Sequence, residues 1–250
     1  MPTYYGKYRG KVTNTKDPLH LGRVQVQVPA IFGEGRQSWA MPATPYAGQD
    51  IGFFTVPPVG SNVWVEFEGG DPDYSIWSGC FWGENELPQA ARVAEPDKVQ
   101  VLKTNGITFT WNNLDNKGLT IEVKDPVVSR PLKMVFNPQG IEINNNNELT
   151  IKITENIIEL KNRATSVVTL TSDSIQLKEG SVEVNLTNSQ IELKSPPGDI
   201  KLTAATGIEL SNSPASTKLT PASIELSIGA ASIKMSPATV NVNNGALEVI

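Results

Sequence analysis

The stretch that decides the fold runs from residue 190 to residue 210 and reads QIELKSPPGDIKLTAATGIEL. It holds three triplets, Ile191-Glu-Leu193, Ile200-Lys-Leu202 and Ile208-Glu-Leu210, each with one polar residue between two aliphatic ones. A period of two puts both aliphatic side chains on one face of a strand and the polar one on the other. Pro, Gly, Ser and Thr separate the triplets, so each strand is about five residues long and ends in a tight corner. A helix would repeat its apolar positions at three and four instead.

The same unit fills residues 136–250. Ile141-Glu-Ile143, Ile158-Glu-Leu160, Ile175-Gln-Leu177, Ile224-Glu-Leu226 and Val240-Asn-Val242 belong with the Glu-centred triplets. Ile151-Lys-Ile153, Val168-Thr-Leu170, Val184-Asn-Leu186, Thr217-Lys-Leu219 and Ile233-Lys-Met235 interleave with them, and Leu247-Glu-Val249 closes the series. Consecutive triplets stand about eight residues apart, a β-solenoid pattern. One strand layer per triplet, at about 4.8 Å each, gives a needle of roughly 65 Å. The pattern is silent on chain number; a single-chain solenoid about one-third as tall is the alternative. The Asn144–Asn147 run reads as a polar corner rather than an amide ladder.

All seventeen aromatic residues lie at or before Phe136, and the last 114 residues hold none. Aromatics fill wide cores, so the break marks two architectures. The tail is not a disordered composition, because Ile, Val and Leu recur throughout it. The net charge of −5 divides as −3 over 1–90, +2 over 91–135 and −4 over 136–250. No basic stripe marks a nucleic-acid surface. The single His20 and single Cys80 exclude an intrachain disulfide, a zinc cluster and any site needing two histidines. His20 reads as a surface loop residue and Cys80 as a small buried apolar group. Neither a cofactor nor a metal is expected. MPTYYGKYRG has no apolar signal core, and no apolar run approaches membrane-spanning length. The chain therefore reads as made in the cytoplasm without a signal peptide.

Residues 1–88 read as a small all-β barrel of about five strands. In the segment 22–28, Val24, Val26 and Val28 face one side and Arg23, Gln25 and Gln27 the other, until Pro29 ends the strand. In 62–67, Val63, Val65 and Phe67 alternate with Trp64 and Glu66. Gly70-Asp-Pro-Asp73 is a turn by composition rather than a pair of catalytic carboxylates. Trp64, Tyr74, Trp77, Phe81 and Trp82 form an aromatic set that suits core filling or a subunit contact. Residues 89–135, with strand-like segments and turns at Asn105-Gly106 and Asn116-Lys-Gly118, join the barrel to the repeat.

The order Gly10-x-Val12, Gly22-Arg-Val-x-Val-x-Val-Pro29, Trp39-Ala40, Ala47-Gly48, Pro57-x-x-Gly60, Val63-x-Val-x-Phe67, Gly70-Asp-Pro-Asp73 and Gly79 resembles the OB-fold barrel of contractile-tail spike proteins. These include phage baseplate assembly protein V and the VgrG spike of type VI secretion. Tyr74-Ser-Ile-Trp77 departs from the relatives, which carry a second proline and an aliphatic strand there. The resemblance implies an all-β protein: an N-terminal OB-fold-like barrel (1–88), a transition (89–135) and an intertwined homotrimeric β-helix, a β-prism needle (136–250).

It implies a trimer axis lined by Ile158, Leu160, Ile175, Leu177, Ile191 and Leu193, and further down by Ile208, Leu210, Ile224, Leu226, Ile233 and Met235. Only aliphatic side chains are thin enough to meet there. In such a prism Glu-centred strands lie beside Lys-centred strands of other chains, pairing charges across the chain boundary.

The implied role is mechanical: the central spike of a phage tail, tailocin or related injection particle, without enzymatic activity. A separate hub protein would hold the barrel end, and a PAAR-like tip protein would sit on Leu247, Val249 and Ile250. The target envelope would be met transiently. Two other classes remain: an OB-fold protein that binds single-stranded nucleic acid and carries a stabilising solenoid tail, and a polysaccharide hydrolase on a solenoid. The outward Glu residues recur evenly with no aromatic beside them, which disfavours the second.

Overall fold

A computed structural model describes every residue except Met1, Asp115, Asn147, Glu148 and Ile250, and leaves the side chains of Glu248 and Val249 outside the description. The chain divides into two compact units, 1–87 and 88–250.

The first unit is a closed barrel. Its strands are β1 (Tyr8–Asn14), β2 (Val24–Gln27), β3 (Gln37–Pro42), β6 (Asn62–Phe67) and β7 (Ser75–Phe81), and a two-stranded hairpin of β4 (Ala47–Gly48) and β5 (Ile51–Gly52) stands in the β3–β6 connection. The barrel order is β1-β2-β3-β7-β6, closed by the antiparallel β1–β6 pair; β3 and β7 run parallel. This five-stranded closure is the OB arrangement. The alternation read from the sequence holds: Val24, Val26, Val28, Val63 and Val65 are fully buried with Val12 and Ala40. Phe67 closes one end among Tyr4, Tyr8 and Phe32, with ring centroids 5.6 to 6.2 Å apart. Gly10 lets β1 pass close to its neighbours: a Cβ there would stand 2.9 Å from Val65 Cγ2. Pro29 ends β2 and also starts α1 (Pro29–Phe32), a single helical turn too short to show a period.

Two barrel readings are corrected. Cys80 is exposed, not buried. A bulge in the β6–β7 pairing, where Trp64 meets Gly79 and Val65 meets Trp77, inserts one residue, so the end of β7 turns Phe81 outward onto Trp64. The aromatic set also separates. Only Trp77 is in the core, Trp64 packs on Phe81 outside the barrel, and Tyr74 and Trp82 are exposed.

In the second unit, β8 (Val99–Lys103), β9 (Ile107–Asn112), β10 (Gly118–Val123) and β11 (Leu132–Asn137) are followed by fourteen strands from Gly140–Asn144 to Leu247–Val249. Each strand pairs antiparallel with the next along the chain. Strands of the 89–135 segment and of the repeat therefore share one long antiparallel ladder. This corrects the expected cross-chain pairing of neighbouring strands, and the single-chain solenoid with it. Both ladder edges of the strands inside the repeat are occupied by their own chain's neighbours, so the Glu and Lys rows meet within one chain. The corners explain why. Thr154, Thr171, Thr220 and Ser236 each donate their backbone N–H to the carbonyl three residues on, at 2.8 to 2.9 Å, closing hairpins with two residues at the tip. Their hydroxyls also accept N–H groups inside the turn, as Thr220 does from Ala222 and Ser223. A tight corner of this kind returns the chain antiparallel beside the strand it has just left.

Candidate functional site

The repeat places its aliphatic residues in columns, because antiparallel register preserves the face at every rung. Ile191 pairs with Leu202, Ile208 with Leu219, and Ile224 with Met235; this first column continues upward through Ile175, Ile158 and Ile141. The second column runs beside it: Leu193 pairs with Ile200, Leu210 with Thr217, and Leu226 with Ile233, with Leu177, Leu160 and Ile143 above. All twelve residues read from the sequence as core stand in these two columns. A third column on the same face contains Val182, Gly198, Ala215, Ile228 and Ala231.

This face has no cover within the chain. Leu160, Leu177, Leu210 and Leu226 are 41 to 44 % exposed, on a sheet whose backbone groups are already paired. Two grooves follow it, of about 1030 Å³ and 530 Å³, lined from Val182 to Asn243 and from Leu149 to Val184. A contiguous apolar face of this extent marks an interaction site.

The columns run on above the repeat. Ile141 pairs with Phe136, Phe136 with Leu119, and Leu119 with Trp111; Ile143 leads through Met134 and Ile121 to Phe109. Phe109 and Trp111 stack with centroids 6.2 Å apart. The last aromatic of the sequence is thus the point at which one continuous face changes from aromatic to aliphatic.

The opposite face carries the polar centres of the triplets. Glu192 faces Lys201, Lys201 faces Glu209, Glu209 faces Lys218, and Glu225 lies between Lys218 and Lys234. Lys178 Nζ is 2.9 Å from Glu183 Oε1, and this hydrogen bond holds the Glu183 carboxyl below its ordinary range. The Asn run forms a polar corner where it is described: Asn145 Oδ1 accepts the Leu149 N–H at 2.6 Å, while Asn147 lies outside the described residues.

The barrel carries two further features. Asp17, with its side chain only 5 % exposed, receives Arg23 Nη2 at 2.6 Å and the backbone N–H groups of Leu19, Leu21 and Arg23. The Arg23 hydrogen bond, chiefly, holds its carboxyl far below the usual carboxylate range. Arg23 also lies over Trp39, 5.4 Å from the ring centroid. This arrangement ties down the loop holding His20, which is exposed with φ of 53°. The second feature is the hairpin β4–β5 and its flanks, where Tyr46, Ile51, Phe53 and Phe54 are all exposed around a cavity of about 730 Å³. The sequence signal for this surface is the adjacent Phe53-Phe54 pair, since neighbouring residues of an extended chain cannot both face one core.

Of the expected tip residues, Leu247 is exposed, whereas Ile250 and the Val249 side chain lie outside the described residues. Among the described residues no group of three or more His, Cys, Asp or Glu side chains is placed to hold a metal ion, and no helix is long and apolar enough to cross a membrane.

Two family models match the chain. The type VI secretion system/phage-baseplate injector OB domain covers residues 8–82, from the first residue of β1 to just beyond β7. The phage baseplate V C-terminal trimerisation domain covers residues 186–248, the lower part of the columned sheet. No curated protein matches the chain. An injector OB barrel followed by a trimerising β-sheet makes this a homotrimeric baseplate component of a phage or injection particle. The chain belongs to the phage baseplate V family of spike proteins.

Proposed function

We propose that three copies of this chain form the central spike of a contractile injection machine. Their barrels seat on a separate hub, and their sheets lead when the sheath contracts and drive the spike through the target envelope. One observation carries this reading: the aliphatic columns lie uncovered on a sheet whose backbone hydrogen bonds are already made within the chain. What such a sheet lacks is an apolar partner, and three copies facing one axis supply it. Ile158, Leu160 and their successors down to Ile233 and Met235 then form a dry, narrow core with no aromatic bulk. A rod of this kind transmits axial force, because compressing it means deforming close-packed side chains and a continuous ladder.

The exposed Tyr46, Ile51, Phe53 and Phe54 support a protein seat on the barrel, which we assign to the hub. At the other end, the exposed Leu247, with Val249 and Ile250, is assigned to a PAAR-like tip protein. The test is complementation of particles that lack the gene. Such particles should assemble sheath and tube yet fail to puncture target cells until the full chain is restored. Phe53→Ser with Phe54→Ser should leave the trimer intact and lose hub capture. Puncture at the wild-type level without the chain would overturn the reading.

A further inference from the structure

The apolar face of the needle sheet is not symmetric about its midline, and we propose that this asymmetry fixes how adjacent copies meet. Each copy inserts its first column into the groove between the second and third columns of the next. The proposal rests on the trimeric needle proposed above and adds the sense of the contact.

Two observations carry it. Both grooves run along the second and third columns and the strand residues between them: Leu193, Leu210, Ala215, Leu226 and Ala231 line the larger one, with Ser211, Ser216 and Ser227 between. No first-column residue borders either groove, although Ile208, Leu219, Ile224 and Met235 are all exposed beside them. One chain therefore carries a row of exposed aliphatic side chains outside the grooves and, on the same face, a largely apolar depression. At the small residues Gly198, Ala215 and Ala231 the third column is low, with Asn212 and the exposed Ile228 on the rungs between them. The two outer columns also border opposite rows of corners. The first adjoins the Thr- or Ser-initiated hairpins such as Thr220–Ser223, the third the corners at Ser213-Pro214 and Gly229-Ala230.

Three identical sheets around one axis meet in a heterologous, closing contact: the left edge of each copy touches the right edge of its neighbour. An edge of exposed aliphatic side chains and a grooved edge on the same chain satisfy that requirement. Two such aliphatic edges or two grooved edges brought together would leave either a clash or a void. The larger groove coincides almost wholly with the matched trimerisation domain, and the smaller one continues the same columns above it. The occupant assigned to both is a second copy of this chain.

Disulfide trapping tests the sense of contact. Ala215 and Leu219 stand four residues apart on one strand, in the third and first columns. Their Cα atoms are then about 13 Å apart, too far for a bond within one chain. In a Cys80→Ser background, Ala215→Cys combined with Leu219→Cys should give a covalent trimer under mild oxidation, while each single variant stays monomeric on a non-reducing gel. The pair Ala231→Cys and Met235→Cys, with the same placement two strands further on, should do the same and guards against a local folding defect. Trimeric mass by light scattering with no covalent trimer from either pair would overturn the inference alone. So would covalent dimers from Leu219→Cys by itself, since that places first column against first column. A monomeric mass would overturn the trimer and this contact together.

Discussion

Lys218 Nζ stands 3.2 Å from Glu209 Oε1 across a single rung of the needle ladder, and both residues belong to the same chain. The charge alternation along the repeat is thus an instruction about hairpin register before it is anything about assembly. Glu209 also faces Lys201, and Glu225 lies between Lys218 and Lys234.

Replacing Glu209 and Glu225 with Lys converts that row into five consecutive lysines. Each exposed pair contributes some tenths of a kcal/mol, and like charges directly opposite cost a similar amount. With four rungs reversed, the double variant should lose roughly 2 kcal/mol at low salt. Much of that loss should be recovered at 0.5 M salt, where screening shortens to a few ångströms. Melting at two ionic strengths measures it; a salt-independent loss would mean that the charges act through something other than their pairing.

Leu210→Ala separates what the sheet needs from what the trimer needs. In the single chain Leu210 is already 41 % exposed, so truncation there removes little packing. Enclosed by two further copies, the same truncation costs about 2–5 kcal/mol per site. The trimer should therefore melt lower and dissociate at higher protein concentration, as read by light scattering on dilution. Ser211→Ala, on the opposite face, should stay within about 0.5 kcal/mol of wild type.

Gly207 marks a corner that only glycine fits. Its φ is 102°, and a Cβ there would stand 1.9 Å from the Leu219 carbonyl oxygen on the paired strand. Gly207→Ala should force the hairpin open and cost more than about 2 kcal/mol. Gly229 is the control: its φ is 57° and a Cβ there meets nothing within 4 Å, so Gly229→Ala should cost only about 1 kcal/mol. Equal effects at the two positions would show that backbone conformation alone, not the close approach, decides.

The contrast between these corners shows what could be read without coordinates. The triplets announce strands, face and spacing, since a period of two within five residues admits little else. They do not announce direction. An eight-residue step suits a chain that winds onward and a chain that doubles back, and the resemblance to intertwined spikes favoured the first. The information lay in the Thr-x-x-Ser corners, whose hydroxyls and backbone close two-residue hairpins. In the barrel, Val24 to Val28 and Val63 to Phe67 were legible because nothing interrupts their alternation. The outward Phe81 was not, because one bulged residue at Ser78–Gly79 inverts the alternation after it and sets Phe81 against Trp64. The third column was missed for a different reason: Gly198, Ala215 and Ala231 carry no hydrophobic signal, and only the register brings them beside Leu210.

Asp17 gives the barrel its own acid limit. The Arg23 hydrogen bond and three backbone N–H groups favour its ionised form in the folded state, so its pKa there lies far below the ordinary 3.8. In the pH range between those two values the unfolded chain binds a proton that the folded barrel does not. Stability from this group is therefore complete above about pH 5 and declines as the pH falls below 4 toward the folded-state value. Asp17→Asn removes the charge facing Arg23 and should lower the barrel melting temperature by several degrees at pH 7. The difference from wild type should shrink steadily below pH 4. Tryptophan fluorescence follows it well, because Trp39, Trp64, Trp77 and Trp82 all lie in the barrel unit. A gap between variant and wild type that stays constant down to pH 2 would show that the carboxylate is not held by these partners.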